Sequence, residues 1–533
     1  MSRSSGLLRR ARVAGVIGLS VLTVACSGAS VTPTLAPGNP QHQWPTYAPV
    51  PAATPAPTSA PWFGPTAAPT SAPWWGSPVP SAGAGFNPFV DPNIDRYSTF
   101  GMDVDTASYG IARRALESGN LPDPNGVRTE EFVNSFDYGY QPPVDGAFAI
   151  HLDGGHTPFI GADSILLRIG IKARDVAASQ RSAVSLTFVI DTSGSMGDEG
   201  KEDLVKNALG LLVTRLRSDD TVAIVAFNTD AQTILNPTPA SDAGTILNAI
   251  STLQPGGTTN AQAGLELAYQ VAAQGHRSGA TDRVVLASDG VANVGLTDAN
   301  SLLGRIDDGV SAGVDLVTIG VGMGTYNDAL LEQLADRGNG FYAYVNDRAD
   351  AEQVFGDRLT GTLETVANDA KVQVEFRPEA VSRYRLLGYE DRAIADQSFS
   401  NPTVDAGEVG AGHAVTALYE IVPTGGTDGF LGTVHLRWTD PVTGADSSAA
   451  ADINLNQYGS DFFNSGPSFR LAAIVSAFAE RLRHNPYATG FTLADVAREA
   501  AAIAQAFPSN QDVQILRDLT QKAAGLEGTG AGW

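Results

Sequence analysis

The sequence predicts an α/β protein built around a doubly wound, mostly parallel sheet, preceded by an α+β module and followed by a β-rich and helical domain. Three observations carry this prediction. Between residues 183 and 367, near-continuous apolar strands alternate with amphipathic helical stretches, as expected of parallel strands covered on both faces. Before Arg174, two helical patterns precede an alternating strand, Ser164–Ala173. After Asp369 the chain turns to strands separated by signals such as PTGGTDG, then becomes helical from Ser468 onward.

The elements follow in chain order. Arg3, Arg9, Arg10 and Arg12 precede the apolar stretch Val13–Ala25, which is shorter than a membrane span of about 20 residues and reads as an export signal over 1–25. The context LTVAC resembles a bacterial lipobox, which implies lipidation of Cys26, the chain's only cysteine. Thr23 departs from the aliphatic residue that this motif prefers. Residues 26–86 form a Pro/Ala/Ser/Thr-rich linker with a near-repeat, PTSAPWFG and PTSAPWWG, whose prolines favour extended conformations over a buried core.

An N-terminal module is predicted over 87–180. It contains a helix in ASYGIARRALESGNLP, stopped at Gly119-Asn120, and a second in VRTEEFVNSFDYGY with Thr129 as a possible N-cap. The doubly wound domain, 183–367, draws strands from Ala183–Ile190, Thr221–Phe227, Arg283–Ser288, Asp315–Val321 and Gly340–Val345. Its clearest helix, KEDLVKNALGLLVTRLR, places Leu204, Val205, Ala208, Leu211, Leu212 and Leu216 on one face. Over 368–533, VQVEFRP, HAVTALYEIVP and FLGTVHLRWTD read as strands of a sandwich-like layer ahead of the helical end.

Composition narrows the function. Apolar residues make up 43% of the chain, enough for real cores, and 57 acids against 34 bases give a formal charge of -23. That balance disfavours nucleic acid, whose phosphates need clustered Lys and Arg, and suits an envelope protein or cation binding. With no second cysteine, packing alone must stabilise the exported domain.

The chemistry-bearing stretch is FVIDTSGSMGDEG, from Phe188 to Gly200. If the chain runs extended past its strand, Asp191, Ser193 and Ser195 point the same way, offering one carboxylate and two hydroxyls. Two further segments supply similar oxygens: Thr258 and Thr259 on a Gly-rich turn before a helix, and Asp289 directly after an apolar strand. These are hard donors, suited to Mg²⁺, Mn²⁺ or Ca²⁺ rather than soft metals. In a doubly wound sheet such strand ends border the ligand crevice.

The three segments, in this order, resemble the metal-ion-dependent adhesion site of von Willebrand factor type A domains, and the sheet is accordingly expected to be Rossmann-like. The resemblance implies Asp191, Ser193, Ser195, Thr259 and Asp289 as ligands. Thr259 is preferred to Thr258 because the family's G-x-T is spaced from a following Gly-Leu, here Gly264-Leu265. It further implies Mg²⁺ in the first place, and a partner protein whose Asp or Glu completes the ion's coordination. STFGMDVDTASYGIARRALESGNLP with VRTEEFVNSFDY, and VEFRPEAVSRYRLLGYEDRAIA with DAGEVGAGHAVTALYEI, resemble the N- and C-terminal modules of bacterial lipoproteins carrying that domain.

Rival chemistries fit less well. Asp103, Asp105 and Thr106 match the nucleophile motif of haloacid-dehalogenase phosphatases, but no apolar strand precedes them. No G-x-S-x-G elbow, H-E-x-x-H or Walker loop occurs, so no enzyme is predicted. His151 and His156, in a loop-like HLDGGH, are expected to be exposed or hydrogen-bonded. Asp198, Glu199, Glu202 and Asp203 are expected to stabilise a helix N-terminus. The expectation is an exported, lipid-anchored envelope protein engaging a protein partner through a cation. The alternatives are a structural scaffold whose metal only stabilises the domain, or a metal-assisted hydrolase.

Overall fold

The computed structural model describes residues 85–528 apart from 103–104, 291–298, 323–327, 358–360, 362, 402–403, 405, 425–428 and 455–460. The expected signal, Cys26, the expected linker up to residue 84 and Asp103 lie outside the described residues.

The first flank contributes β1 (Tyr97–Gly101), α1 (Ala107–Glu117), α2 (Thr129–Asn134), β2 (Phe148–Gly155) and β3 (Ile165–Ala173). Helix α1 stops where Gly119 takes φ +82°, as its Gly-Asn signal predicts. Thr129 does not cap α2. The cap is Arg128, and the Thr129 hydroxyl donates instead to Glu480 at 2.7 Å. The HLDGGH stretch is no loop: it forms most of β2, paired antiparallel with β3.

The central segment runs β4 (Ala183–Asp191), α3 (Lys201–Arg215), β5 (Thr221–Phe227), β6 (Ala231–Pro239), α4 (Ala243–Ser251), α5 (Ala261–Gly275), β7 (Ala280–Ser288), α6 (Ala299–Ser311), β8 (Val314–Val321), α7 (Asp328–Arg337), β9 (Tyr342–Val345) and α8 (Arg348–Glu352). Its strands lie in the order β6-β5-β4-β7-β8-β9, parallel except for the edge strand β6. β5 is buried at every residue and β4 at all but Ala183, which explains their unbroken apolar runs. Separate apolar clusters cover the two faces. On α3 the buried residues are Val205, Ala208, Leu209, Leu212 and Val213, so the helix is rotated from its predicted face and Leu211 is only half-buried.

The second flank contributes β10 (Thr365–Phe376), β11 (Val381–Leu387), β12 (Val409–Gly410), β13 (Ala414–Pro423), β14 (Phe430–Thr439) and β15 (Asp446–Asn454). Helices α9 (Pro467–Leu482), α10 (Leu493–Ala504) and α11 (Gln511–Gly528) close it. These strands do not form a body of their own. β1 pairs with β10 in a sheet ordered β1-β10-β14-β15, with β12 also on β10, while β3 lies between β13 and β2 in a second sheet, β11-β13-β3-β2. The two flanks thus complete one sandwich, packed around Phe100, Leu167, Val372 and Tyr419, and the doubly wound domain is inserted into it. Helix α1 leaves the sandwich to place Ala107 and Ile111 in the insert's core against Tyr342 and Tyr344.

Candidate metal centre

The insert's chain enters at β4 in the middle of its sheet, builds outward through β5 and β6, then crosses to β7 on the other side. Strand order therefore reverses between β4 and β7, and the crevice beyond their carboxyl ends is where such sheets bind ligands. Asp191 is the last residue of β4, and Asp289 follows β7 directly.

Asp191 is completely buried. Its Oδ1 accepts from the Ser193 amide at 2.8 Å, and its Oδ2 from the Ser288 hydroxyl at 2.6 Å. Burial pushes its pKa up from 3.8 to about 6, against the lowering effect of those hydrogen bonds, and the Asp289 charge adds to the rise. The backbone stays extended only as far as Ser193, and a tight turn begins at Gly194. The turn nevertheless brings the Ser193 and Ser195 hydroxyls within 3.1 Å of each other. Ser195 then donates to Asp289 Oδ1 at 2.9 Å. One hydrogen-bonded chain therefore links Asp191, Ser193, Ser195 and Asp289.

The threonine loop is stitched to the first motif through its backbone. Gly194 donates to the Gly257 carbonyl at 3.2 Å, and Gly256 to the Thr192 carbonyl at 2.8 Å. Gly257 adopts φ +85°, and a Cβ there would lie 2.8 Å from Thr229 Oγ1, so the turn calls for glycine on both counts. Asn260 caps α5 by accepting from the Ala263 amide. Thr259 is buried at 7% exposure, whereas Thr258 is exposed and its hydroxyl donates to Thr229.

The residues fit a hard cation in a specific sense. Asp191 is a carboxylate stripped of water and hydrogen-bonded to an amide and a hydroxyl, both neutral, and burial disfavours its ionised form. Among the described residues, no group of three or more His, Cys, Asp or Glu could hold a metal. An ion here would rest on two carboxylates and neutral hydroxyls.

Two neighbours were not singled out by the sequence reading. Ser288 orients Asp191, and Lys201 Nζ lies 2.8 Å from Asp289 Oδ2. The only sequence signal for Lys201 was a single cation amid Asp198, Glu199, Glu202 and Asp203. Of those acids, Glu202 and Asp203 do occupy the first turn of α3, whereas Glu199 pairs with Arg114 of α1. The phosphatase-like Asp105 is structural: it accepts from the Tyr342 amide at 2.9 Å and from Arg392 at 3.0 Å. His151 bonds the Gln141 carbonyl and His156 the Ser164 carbonyl, consistent with hydrogen-bonding roles.

Parts of the chain are similar to known proteins. Residues 185–357 match the von Willebrand factor type A domain, 82–167 a von Willebrand factor module, and 361–431 the C-terminal domain described for the uncharacterized protein YfbK. YfbK of Escherichia coli (strain K12) is 39% identical over 338 residues, covering 62% of this chain and 58% of that protein's length. The uncharacterized protein sll0103 of Synechocystis sp. is 28% identical over 214 residues, covering 40% and 50% respectively. Among solved structures, the von Willebrand factor type A protein from Catenulispora acidiphila is similar at 17% identity and a TM-score of 0.42, covering 72% of this chain and 91% of that one. The sheet topology agrees with the match: this chain carries a von Willebrand factor type A domain over residues 185–357, and it spans less than two thirds of the length of either uncharacterized relative.

Proposed function

We propose that this chain is a lipid-anchored protein of the bacterial envelope that binds another protein through a divalent cation. The ligands are Asp191, Ser193, Ser195, Thr259 and Asp289, Mg²⁺ being the first expectation and Mn²⁺ or Ca²⁺ the others. Cys26 and the basic, apolar N-terminus support export and anchoring. Among the described residues no helix is long and apolar enough to cross a membrane.

The observation that carries the reading is the hydrogen-bonded chain from buried Asp191 to Asp289 at the point where strand order reverses. When bound, the ion supplies an electrophilic position open to an outside carboxylate, because only two of its protein ligands bear charge. The residues themselves do the positioning: Ser288 and the Ser193 amide fix the Asp191 carboxylate, and Ser195 fixes that of Asp289. Thr259 is favoured over Thr258, whose hydroxyl is already engaged by Thr229. Nothing in this arrangement calls for a reacting nucleophile, so we read the site as a binding centre and not an enzyme.

The test is capture of envelope proteins by the intact chain with Mg²⁺ or with a chelator, alongside Asp191→Asn. Partner recovery that needs both the ion and Asp191 supports the reading. Recovery indifferent to chelator would favour a scaffold in which the metal only stabilises the domain.

A further inference from the structure

Lys201 stands where the proposed ion would have to act. Its ammonium lies 2.8 Å from Asp289 Oδ2 and 3.4 Å from the Ser195 carbonyl. Both side chains are largely shielded, at 15% and 4% exposure, so water screens their attraction only weakly. The lysine stem is held from below by Gly322, where a Cβ would lie 3.1 Å from Lys201 Cε and 3.2 Å from Cγ. Asp289 is therefore satisfied without any metal, while Asp191, on the other side of the two serines, is held by the neutral Ser193 amide and Ser288 hydroxyl.

A second cation bound to Asp289 would repel this ammonium at short range. The lysine has somewhere to go. It borders a cleft of about 340 Å³ whose lining includes Arg114, Glu199, Asn346 and Asp347, with Glu199 paired to Arg114 and Asp347 to Arg113. Swinging into that cleft takes the ammonium off Asp289 Oδ2 and sets it beside carboxylates that it would share with those arginines.

We propose that Lys201 is an internal counter-cation that competes with the divalent ion for Asp289, setting the ion concentration at which the site fills. This inference rests on the metal-centre reading above. Without the ion, the lysine holds Asp289 in place and keeps the strand ends from repelling each other; with it, the lysine moves aside. The exchange lowers affinity, so the site responds to the surrounding ion level rather than retaining its metal permanently.

The experiment is calorimetric titration of the full chain with Mn²⁺ and Mg²⁺, comparing wild type with Lys201→Met and with Lys201→Gln. The second variant guards against loss of fold in the first. Removing the competitor should tighten ion binding about tenfold. In chelator, the same substitution should lower the melting temperature in the wild-type background and leave it unchanged in Asp289→Asn. Equal affinity in wild type and both lysine variants overturns the competition while sparing the metal centre. Weaker binding in the variants also overturns it, making Lys201 a positioning residue for Asp289. Absence of ion binding in all three proteins overturns the metal centre and this inference together.

Discussion

Asp191 combines complete burial with a pKa raised to about 6, and both of its states have measurable consequences. A cation needs the ionised form, so affinity should fall as pH drops below about 6, approaching tenfold per unit as protons compete. In chelator the sign reverses. The folded state holds the proton more tightly than the unfolded chain does, at 3.8, so the stability tied to this group is complete below about pH 4. It is lost as pH rises through about 6, and denaturant melts across that range should show the decline. Asp191→Asn should flatten that decline and abolish ion-induced stabilisation while keeping the fold. An amide can donate to Ser288 Oγ, which can still donate to the Gly290 carbonyl. Ser193→Ala and Thr259→Ala should weaken ion binding more than Thr258→Ala, as read by titration; the reverse order would assign the ligand role to Thr258. Asp191, Ser193, Ser195 and Asp289 were legible because they follow apolar strands along the chain; Thr259 follows no strand, lying between α4 and α5, and was reached through its spacing from Gly264-Leu265. Ser288 and Lys201 were not, because their roles depend on which rotamer reaches across a crevice.

At the scale of elements, the approach of α5 to β5 is set at Gly264. A Cβ at Gly264 would lie 2.7 Å from Phe227 Cδ1 and 2.8 Å from Cγ, so the helix can approach β5 only without a side chain there. Gly264→Ala should therefore cost about 1–3 kcal/mol by overpacking, measured by the denaturant midpoint, and should weaken ion binding by moving the turn that carries Thr259. Buried parallel strands were readable from their apolar runs. The edge strand β6 was not, since AQTILNPTP is largely exposed or half-buried and holds two prolines. β2 escaped for a similar reason, with His151, Asp153 and two glycines hiding its pairing to β3. The predicted face of α3 failed at Leu209 and Val213, which periodicity alone could not distinguish from Leu204 and Leu211 in a helix apolar over a broad arc.

For the molecule as a whole, the insert is held to its host by buried charges. Arg392 reaches Asp105 at 3.0 Å, Glu332 of α7 at 3.2 Å and Asp336 at 2.9 Å, while Arg128 pairs with Glu332 from α2's cap. Arg392→Ala would leave Asp105 and Glu332 buried with less compensation, costing about 3 kcal/mol. In calorimetry the insert and the sandwich should then melt as separate transitions where the wild type shows a more cooperative one. None of this was legible in sequence, because strands that pair across an inserted domain leave no local pattern. The same topology dictates an order of assembly. The inserted sheet is continuous in the chain and can mature as soon as it has been synthesised, whereas β3 must wait for β13 and β1 for β10. Until those late strands arrive, the early ones have open edges that invite mispairing, so a truncated or stalled chain should yield a sound ion-binding module on an aggregation-prone stub.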